Sequence, residues 1–382
     1  MNTSRRRYLP AVLLVGALGL SGCASTAADG ADGADEGGWA TATSVETGGG
    51  LDSLVSAAQA EGTLNVMGLY PDWANYGVLV EEFTATYGIE VDNDTSAGSS
   101  QDQVNAIKNR VGQSRSLDYL DTGVSFANSA AAEGLLAEYR PATIDDVDPT
   151  LTDADGRWTN QYGGYVTIGC DAAAVAVCPT SFAELDDPQY AGKVALTGNP
   201  AQGESGFNAV WAASMAMGGI LEDIQPGIDF MASLSQNGIL IPVEANAGTL
   251  ETGETPIIIN WDYLNLAVAA DTAAAGVDFQ VVIPSDGTMA SYYAASINAD
   301  APHPAAARLW IEFMYSDEGQ NILLNGYTRP VRFDALVESG AVDTGAADKL
   351  PAVATGFAFP SEEQRSAANL ILAEKWDAAV AS

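Results

Sequence analysis

From Leu51 onward, short runs of β-type apolar residues alternate with stretches whose apolar residues recur at helical spacing. A chain patterned this way buries its strands in a sheet and covers them with helices, which makes it an α/β protein. Residues 63–69 read as a buried strand, Tyr76 to Tyr87 as a helix with Leu79, Phe83 and Tyr87 on one face, and 89–91 as the next strand. Ser99 and Ser100 then precede a helix carrying Val104, Ile107 and Val111, with Ser100 and Gln103 at capping-box spacing. Further strands are expected at 165–168, 194–197, 239–243, 256–260, 279–283 and 293–297. One helix starts at Ser205, packs Phe207, Val210 and Trp211, and stops at Gly218-Gly219. Another is entered through Pro302-His303-Pro304 and shows Leu309, Trp310, Phe313 and Met314 on its apolar side, so His303 reads as surface punctuation.

Length and charge remove whole classes of function. A chain of 382 residues is long enough for two lobes. Against 15 Lys and Arg stand 50 Asp and Glu, a formal charge of −35, so a surface that tracks nucleic-acid phosphates is excluded. A single histidine removes most routes to a Ser-His-Asp triad, a Cys-His pair or a histidine-rich zinc site. The runs Asp145-Asp146-Val147-Asp148 and Asp153-Ala154-Asp155-Gly156 lack the spacing of a calcium loop. No metal and no cofactor is expected.

The first residues read as an address. Arg5, Arg6 and Arg7 precede an apolar run from Leu9 to Leu20, which at roughly 12 residues is too short to span a bilayer and fits a signal peptide over 1–22. Leu20-Ser21-Gly22-Cys23 resembles the bacterial lipobox, which implies lipid on Cys23. Ser4-Arg5-Arg6-Arg7-Tyr8-Leu9 also resembles a twin-arginine signal, and the export route stays open between the two pathways. Residues 23–50 follow, with seven glycines between Ala24 and Gly50, no Lys or Arg and one aromatic, Trp39; they read as a flexible tether. The expected location is extracytoplasmic, lipid-anchored to the outer face of the cell membrane. In an exported chain Cys170 and Cys178, with seven residues between them, read as a structural disulfide.

Three strings carry a family likeness: Ser181-Phe-Ala-Glu-Leu-Asp-Asp-Pro-Gln-Tyr-Ala-Gly-Lys-Val-Ala-Leu196, Ala301-Pro-His-Pro-Ala-Ala-Ala-Arg-Leu-Trp-Ile-Glu-Phe-Met314 and Ser316-Asp-Glu-Gly-Gln320. In order and spacing they resemble the extracytoplasmic solute-binding proteins of bacterial ABC importers, in the branch of iron(III)-, thiamine- and polyamine-binding proteins. The resemblance implies the two-lobe, type II periplasmic-binding-protein fold, with a mixed sheet flanked by helices in each lobe. Lobe 1 would comprise 51–163 and 285–382, lobe 2 would comprise 164–284, and the ligand would sit between them. It also implies a monomer that delivers a small solute to a membrane permease and its ATPase, without catalysis. Candidate ligand contacts are residues at strand ends: Tyr70, Trp73, Ser99, Ser100, Phe126, Ser205 and Tyr292. The family's usual second-lobe contacts fall on Asn246, Trp261, Asp262 and Tyr263.

Asn260-Trp261-Asp262-Tyr263 leaves a strand end, where an aromatic face and a carboxylate together suit a cation. A small amine, polyamine-like, is the expected solute. An iron(III), phosphonate or other anionic ligand is the alternative within the same fold. A sensor lipoprotein and an exported hydrolase built on two carboxylates are the alternatives of other classes.

Overall fold

The structure, a computed structural model, describes residues 38–352 and 360–380. The expected export signal 1–22, Cys23 as the expected lipid site and the start of the expected tether lie outside the described residues. Among the described residues no helix is long and apolar enough to cross a membrane.

The strands, in chain order, are β1 Thr63–Met67, β2 Glu90–Asp94, β3 Tyr119–Gly123, β4 Leu136–Ala137, β5 Trp158–Asp171 and β6 Val194–Leu196. They continue with β7 Leu240–Glu244, β8 Ile257–Trp261, β9 Phe279–Val282, β10 Ala290–Asn298 and β11 Arg329–Pro330. β1 and β2 form a parallel pair, and the others a nine-stranded mixed sheet ordered β3-β10-β5-β8-β6-β7, with β4 on β10 and both β9 and β11 on β5. Parallel steps such as β6–β8 require helical crossovers, hence the helices over the sheet faces.

β5 joins the two lobes. Its first half pairs antiparallel with β10 and β11, down to Ala290↔Tyr165 and Arg329↔Gly163; from Val166↔Trp261 onward it pairs with β8 and β9. The strand is buried along its whole length and far exceeds the expected 165–168. Its middle was hidden in the sequence by Gly163-Gly164, a pair demanded by packing. A Cβ on Gly163 would lie 2.5 Å from the Ser291 carbonyl oxygen, and one on Gly164 would strike the Asp262 carboxyl and the Tyr263 ring. At the far end of β5, Cys170 is bonded to Cys178.

Three local expectations change. The capping box of helix Ser100–Asn109 uses Ser99 and Asp102, not Ser100 and Gln103: Asp102 N donates to Ser99 Oγ at 3.2 Å and Ser99 N donates to Asp102 Oδ2 at 3.2 Å. Ordered packing begins well before Leu51, because Trp39 is buried and Arg308 donates from Nε to the Ala42 carbonyl at 2.8 Å and from Nη2 to the Ala40 carbonyl at 3.2 Å. His303 is no bystander, since its Nδ1 lies 2.8 Å from Oδ2 of the fully buried Asp118.

The C-terminal helix Glu362–Val380 meets helix Val124–Ala132 and, more extensively, an element of the segment 164–284. It packs on helix Gln225–Gln236 of that segment, burying Leu372 and Trp376, with Ser235 Oγ donating to the Val380 carbonyl at 3.0 Å. The apolar face of a helix declares that it will be buried; it carries no label for the partner.

Candidate functional site

A cleft of about 530 Å³ opens between the halves of the sheet. Its walls are loops that follow β1, β2, β6 and β7, together with the start of the helix after β8, so they lie at the carboxyl ends of strands, where open α/β sheets bind ligands. On one side stand Tyr70 and Trp73, their rings 4.6 Å apart, and the serine turn 96–100. The turn 68–75 is held in an unusual backbone, with φ 47° at Ala74 and 62° at Asn75. Opposite stand 197–206, Asn246 and helix Asp262–Thr272.

Three tyrosines form the floor. Tyr162 of β5 stacks on Tyr293 of β10 at 5.6 Å and meets Tyr263 edge-on at 5.6 Å. Trp261 backs Tyr263 at 6.4 Å. Burial holds the phenols of Tyr162, Tyr263 and Tyr293 above their ordinary range, so they are neutral donors.

Asp121 of β3 lies at the same floor, 8% exposed. Gln103 grips its backbone in both directions, donating from Nε2 to the carbonyl at 2.7 Å and accepting from the amide at 2.9 Å. Its carboxyl accepts from Gln161 Nε2 at 2.6 Å and from Tyr162 O–H at 3.2 Å. Burial pushes its pKa up to about 7, against the pull of the donors on Tyr76, Tyr162 and Gln161.

Glu204, in the first turn of helix Glu204–Ala216, is the second buried carboxylate and is differently served. It accepts from Arg365 Nη1 at 3.0 Å, Asn208 Nδ2 at 2.8 Å and Ser291 Oγ at 3.1 Å. Arg365 comes from the C-terminal helix and Ser291 from β10, so this one carboxylate ties three distant segments at the root of the cleft.

Asp72, Asp102, Glu244 and Asp271 complete six acidic residues in the lining, and no Lys, Arg or His is among the described lining residues. Of the helix N-termini at the cleft, those of Ser100–Asn109, Glu204–Ala216 and Asp262–Thr272 carry Asp102, Glu204 and Asp262 in their first turns, where a carboxylate already takes the place that would attract an anion.

Of the residues expected from sequence, Tyr70, Trp73, Ser99, Ser100, Ser205, Asn246 and Tyr263 line the cleft. Ser100 and Ser205 already have partners, the Gly123 amide at 3.1 Å and Asn260 Oδ1 at 2.6 Å. Four others lie outside the lining. Phe126 sits in an apolar cluster with Val104, Ile107 and Trp158. Trp261 is buried behind Tyr263. Tyr292 yields the place to Tyr293, because neighbours along a strand point to opposite faces.

Asp262 is the main correction. It is fully buried, with Oδ1 accepting from Tyr165 N at 3.0 Å and Tyr263 N at 2.9 Å, while Oδ2 has no hydrogen-bond partner. It braces the crossing strand at the end of β8 rather than facing a guest, and burial raises it to about 7 despite those amides and nearby Arg329. Asp121, Tyr162, Glu204, Asn260 and Tyr293 were missed. The signal available for Asp121 was an aspartate inside a stretch, 119–123, otherwise patterned for burial.

Known proteins share the chain's sequence profile and its fold. The profile of the family described as bacterial extracellular solute-binding protein matches residues 120–356. The fold is similar to the periplasmic binding protein AfuA from Actinobacillus pleuropneumoniae with fructose-6-phosphate bound, at TM-score 0.66 and 17% identity, covering 83% of this chain and 98% of that one. It is similar to iron-bound HitA from Pseudomonas aeruginosa, at TM-score 0.60 and 20% identity over 82% and 99% of the two chains. It is also similar to a GABA receptor, at TM-score 0.64 and 18% identity over 83% and 97%. No curated protein matches the chain in sequence.

Proposed function

The chain belongs to the bacterial extracellular solute-binding protein family, and from that premise we propose that it captures a small organic cation and hands it to an ABC permease and its ATPase. The observation that carries the choice of ligand is the cleft lining, with six carboxylates, four tyrosines and no basic residue among its described residues. A phosphate-bearing guest would meet that charge without a counter-ion. Iron(III), the alternative guest, would have to displace the protons of phenols that burial holds neutral. An amine satisfies both features, since its charge faces carboxylates and its C–H surface lies on aromatic rings.

The proposed cycle is capture and release without turnover. The lobes meet along β5 and the segment into β10, and closure about this crossing would bring Tyr70 and Trp73 toward helix Asp262–Thr272. Lipid on Cys23 and the residues after it would hold the protein at the outer face of the membrane, within reach of the permease.

The test is thermal unfolding of the purified protein with organic amines, fructose 6-phosphate and iron(III) citrate. A ligand at a hundred times its dissociation constant adds about 2.7 kcal/mol. Stabilisation by an amine supports the reading. Stabilisation by the sugar phosphate or by iron, with none by amines, overturns it.

A further inference from the structure

The two buried carboxylates of the cleft floor are unequally provided for. Glu204 has a cation of its own, Arg365, at 3.0 Å. Asp121 receives only neutral donors, the amide of Gln161 and the hydroxyl of Tyr162. Each element packed around it offers an uncharged group: Tyr76 from helix Tyr76–Tyr87, Tyr119 from its own strand, Tyr162 and Gln161 from β5, Tyr293 from β10 and Tyr263 from helix Asp262–Thr272. The phenols among these are held above their ordinary range by burial and stay neutral around pH 7. The remaining charges in the lining belong to carboxylates, of which only Glu204 is buried, and it is paired.

A carboxyl in such a place has two ways to avoid a buried unpaired charge. It keeps its proton, or it meets a cation. We propose that Asp121 is the residue that receives the positive charge of the solute, and that capture of the cation expels the proton of its carboxyl into solvent. This rests on the organic-cation reading of the cleft and adds to it a charge-recognition residue and a coupled proton. The step balances: a protonated Asp121 and a bound ammonium become a carboxylate–ammonium pair, and one proton passes to the buffer. By reciprocity, whatever favours the protonated carboxyl weakens the cation. For a cation of fixed charge such as choline, affinity is therefore flat above about pH 8 and falls by about tenfold per pH unit below about 6.

The aromatic ring of neighbours is part of the device. Tyr162, Tyr263 and Tyr293 keep water and counter-ions from the carboxyl while the cleft is empty, and present ring faces to the cation when it is filled.

The experiment has two arms. In the free protein, carbon-detected NMR titration of aspartate carboxyls, with Asp121→Asn used for assignment, is expected to show Asp121 titrating near 7; a midpoint below 5 overturns the inference. In the second arm, putrescine and choline are titrated calorimetrically at pH 6.5 in buffers of different ionisation enthalpy. The expected result is a buffer-dependent heat corresponding to proton release, absent at pH 9, and a loss of at least tenfold in affinity at pH 9 in Asp121→Asn. Cation binding with no proton release overturns this inference and leaves the organic-cation reading intact. Absence of binding by either cation and by the wider amine panel overturns that reading and the inference with it. Should Asp121→Asn fail to fold, Tyr162→Phe removes one donor to the carboxyl and is expected to move the midpoint of the affinity–pH curve upward; an unmoved midpoint counts against the proposal.

Discussion

His303 Nδ1 lies 2.8 Å from Oδ2 of Asp118, and that same oxygen accepts the Asn65 amide of β1 at 2.6 Å. Asp118 also accepts the His303 amide on Oδ1 at 2.7 Å. A carboxylate with no exposed surface thus stitches the edge of the β1–β2 pair to the start of helix Pro304–Met314. The hydrogen bond to Asp118 raises the histidine's pKa above its ordinary value, with burial opposing. A group whose folded pKa is raised contributes stability that is fully present below the unfolded value near 6.5 and is lost as pH rises through the folded value. Denaturation midpoints are therefore expected to decline as pH rises above about 6.5 in the native chain and to lack that component in His303→Gln. The one imidazole makes the NMR titration unambiguous, and a midpoint at or below 6.5 would contradict it.

Arg365 and Glu204 are both buried, at 4% and 1% exposure. Removing one member of such a pair strands the other's charge, so Arg365→Met is expected to cost about 3–5 kcal/mol by chemical denaturation. The double change Arg365→Met with Glu204→Gln should recover a good part of that loss. Equal losses in the single and double variants would mean that the guanidinium serves by packing on Trp211, whose ring lies 6.0 Å away, and not by charge.

Asp121, like His303, has a raised pKa, but here burial raises it by penalising the charged form, so the fold is destabilised once the proton is lost. Its folded value, near 7, exceeds an ordinary aspartate's, near 4, so the unfolded chain loses this proton first and stability falls as pH rises between them. Asp121→Asn should leave the protein more stable than the native chain at pH 8, by on the order of 3 kcal/mol, and little changed at pH 4. Loss of stability at pH 8 would show that the carboxylate is held charged in the fold. A protein that keeps such a cost is one in which function asks for the carboxyl.

A chain shortened to begin at Leu51 is expected to fold with lower stability, by about 2–4 kcal/mol, because it loses buried Trp39 and leaves Arg308 without two carbonyl acceptors. Burial already lowers the Arg308 guanidinium to about 10, so it depends on those acceptors. Unchanged unfolding would make the segment a passive tether.

Reduction of Cys170–Cys178, or replacement of both by serine, should cost about 2–3 kcal/mol, since the closed loop is short. The cleft floor lies on the other half of β5, so affinity for a bound amine should be unaffected.

Reading the elements from sequence worked where burial is periodic. Helix Tyr76–Tyr87 and strand β8 stand close to their expected places because an apolar stripe or run has one way to be hidden. It failed where a residue's meaning is set by what lies opposite. Asp121 lies within β3 and Asp262 just past the end of β8, both are buried and raised to about 7, and only the packing tells the brace from the cleft residue. The same holds for Tyr292 and Tyr293, separated by the direction of one side chain on β10.

The order of apolar runs and the pair Cys170 and Cys178 determined by themselves an α/β chain with a disulfide, and the strings 181–196, 301–314 and 316–320 carried the family resemblance. These are local or additive properties. Tertiary structure alone decided that β5 runs from one set of partner strands to the other, that the C-terminal helix packs on helix Gln225–Gln236, and that Glu204 receives an arginine 161 residues away while Asp121 receives none. Which charges end up paired depends on distances across the fold, and the strength of each pair on how much water the surrounding side chains exclude; neither quantity is carried by a residue's place in the chain.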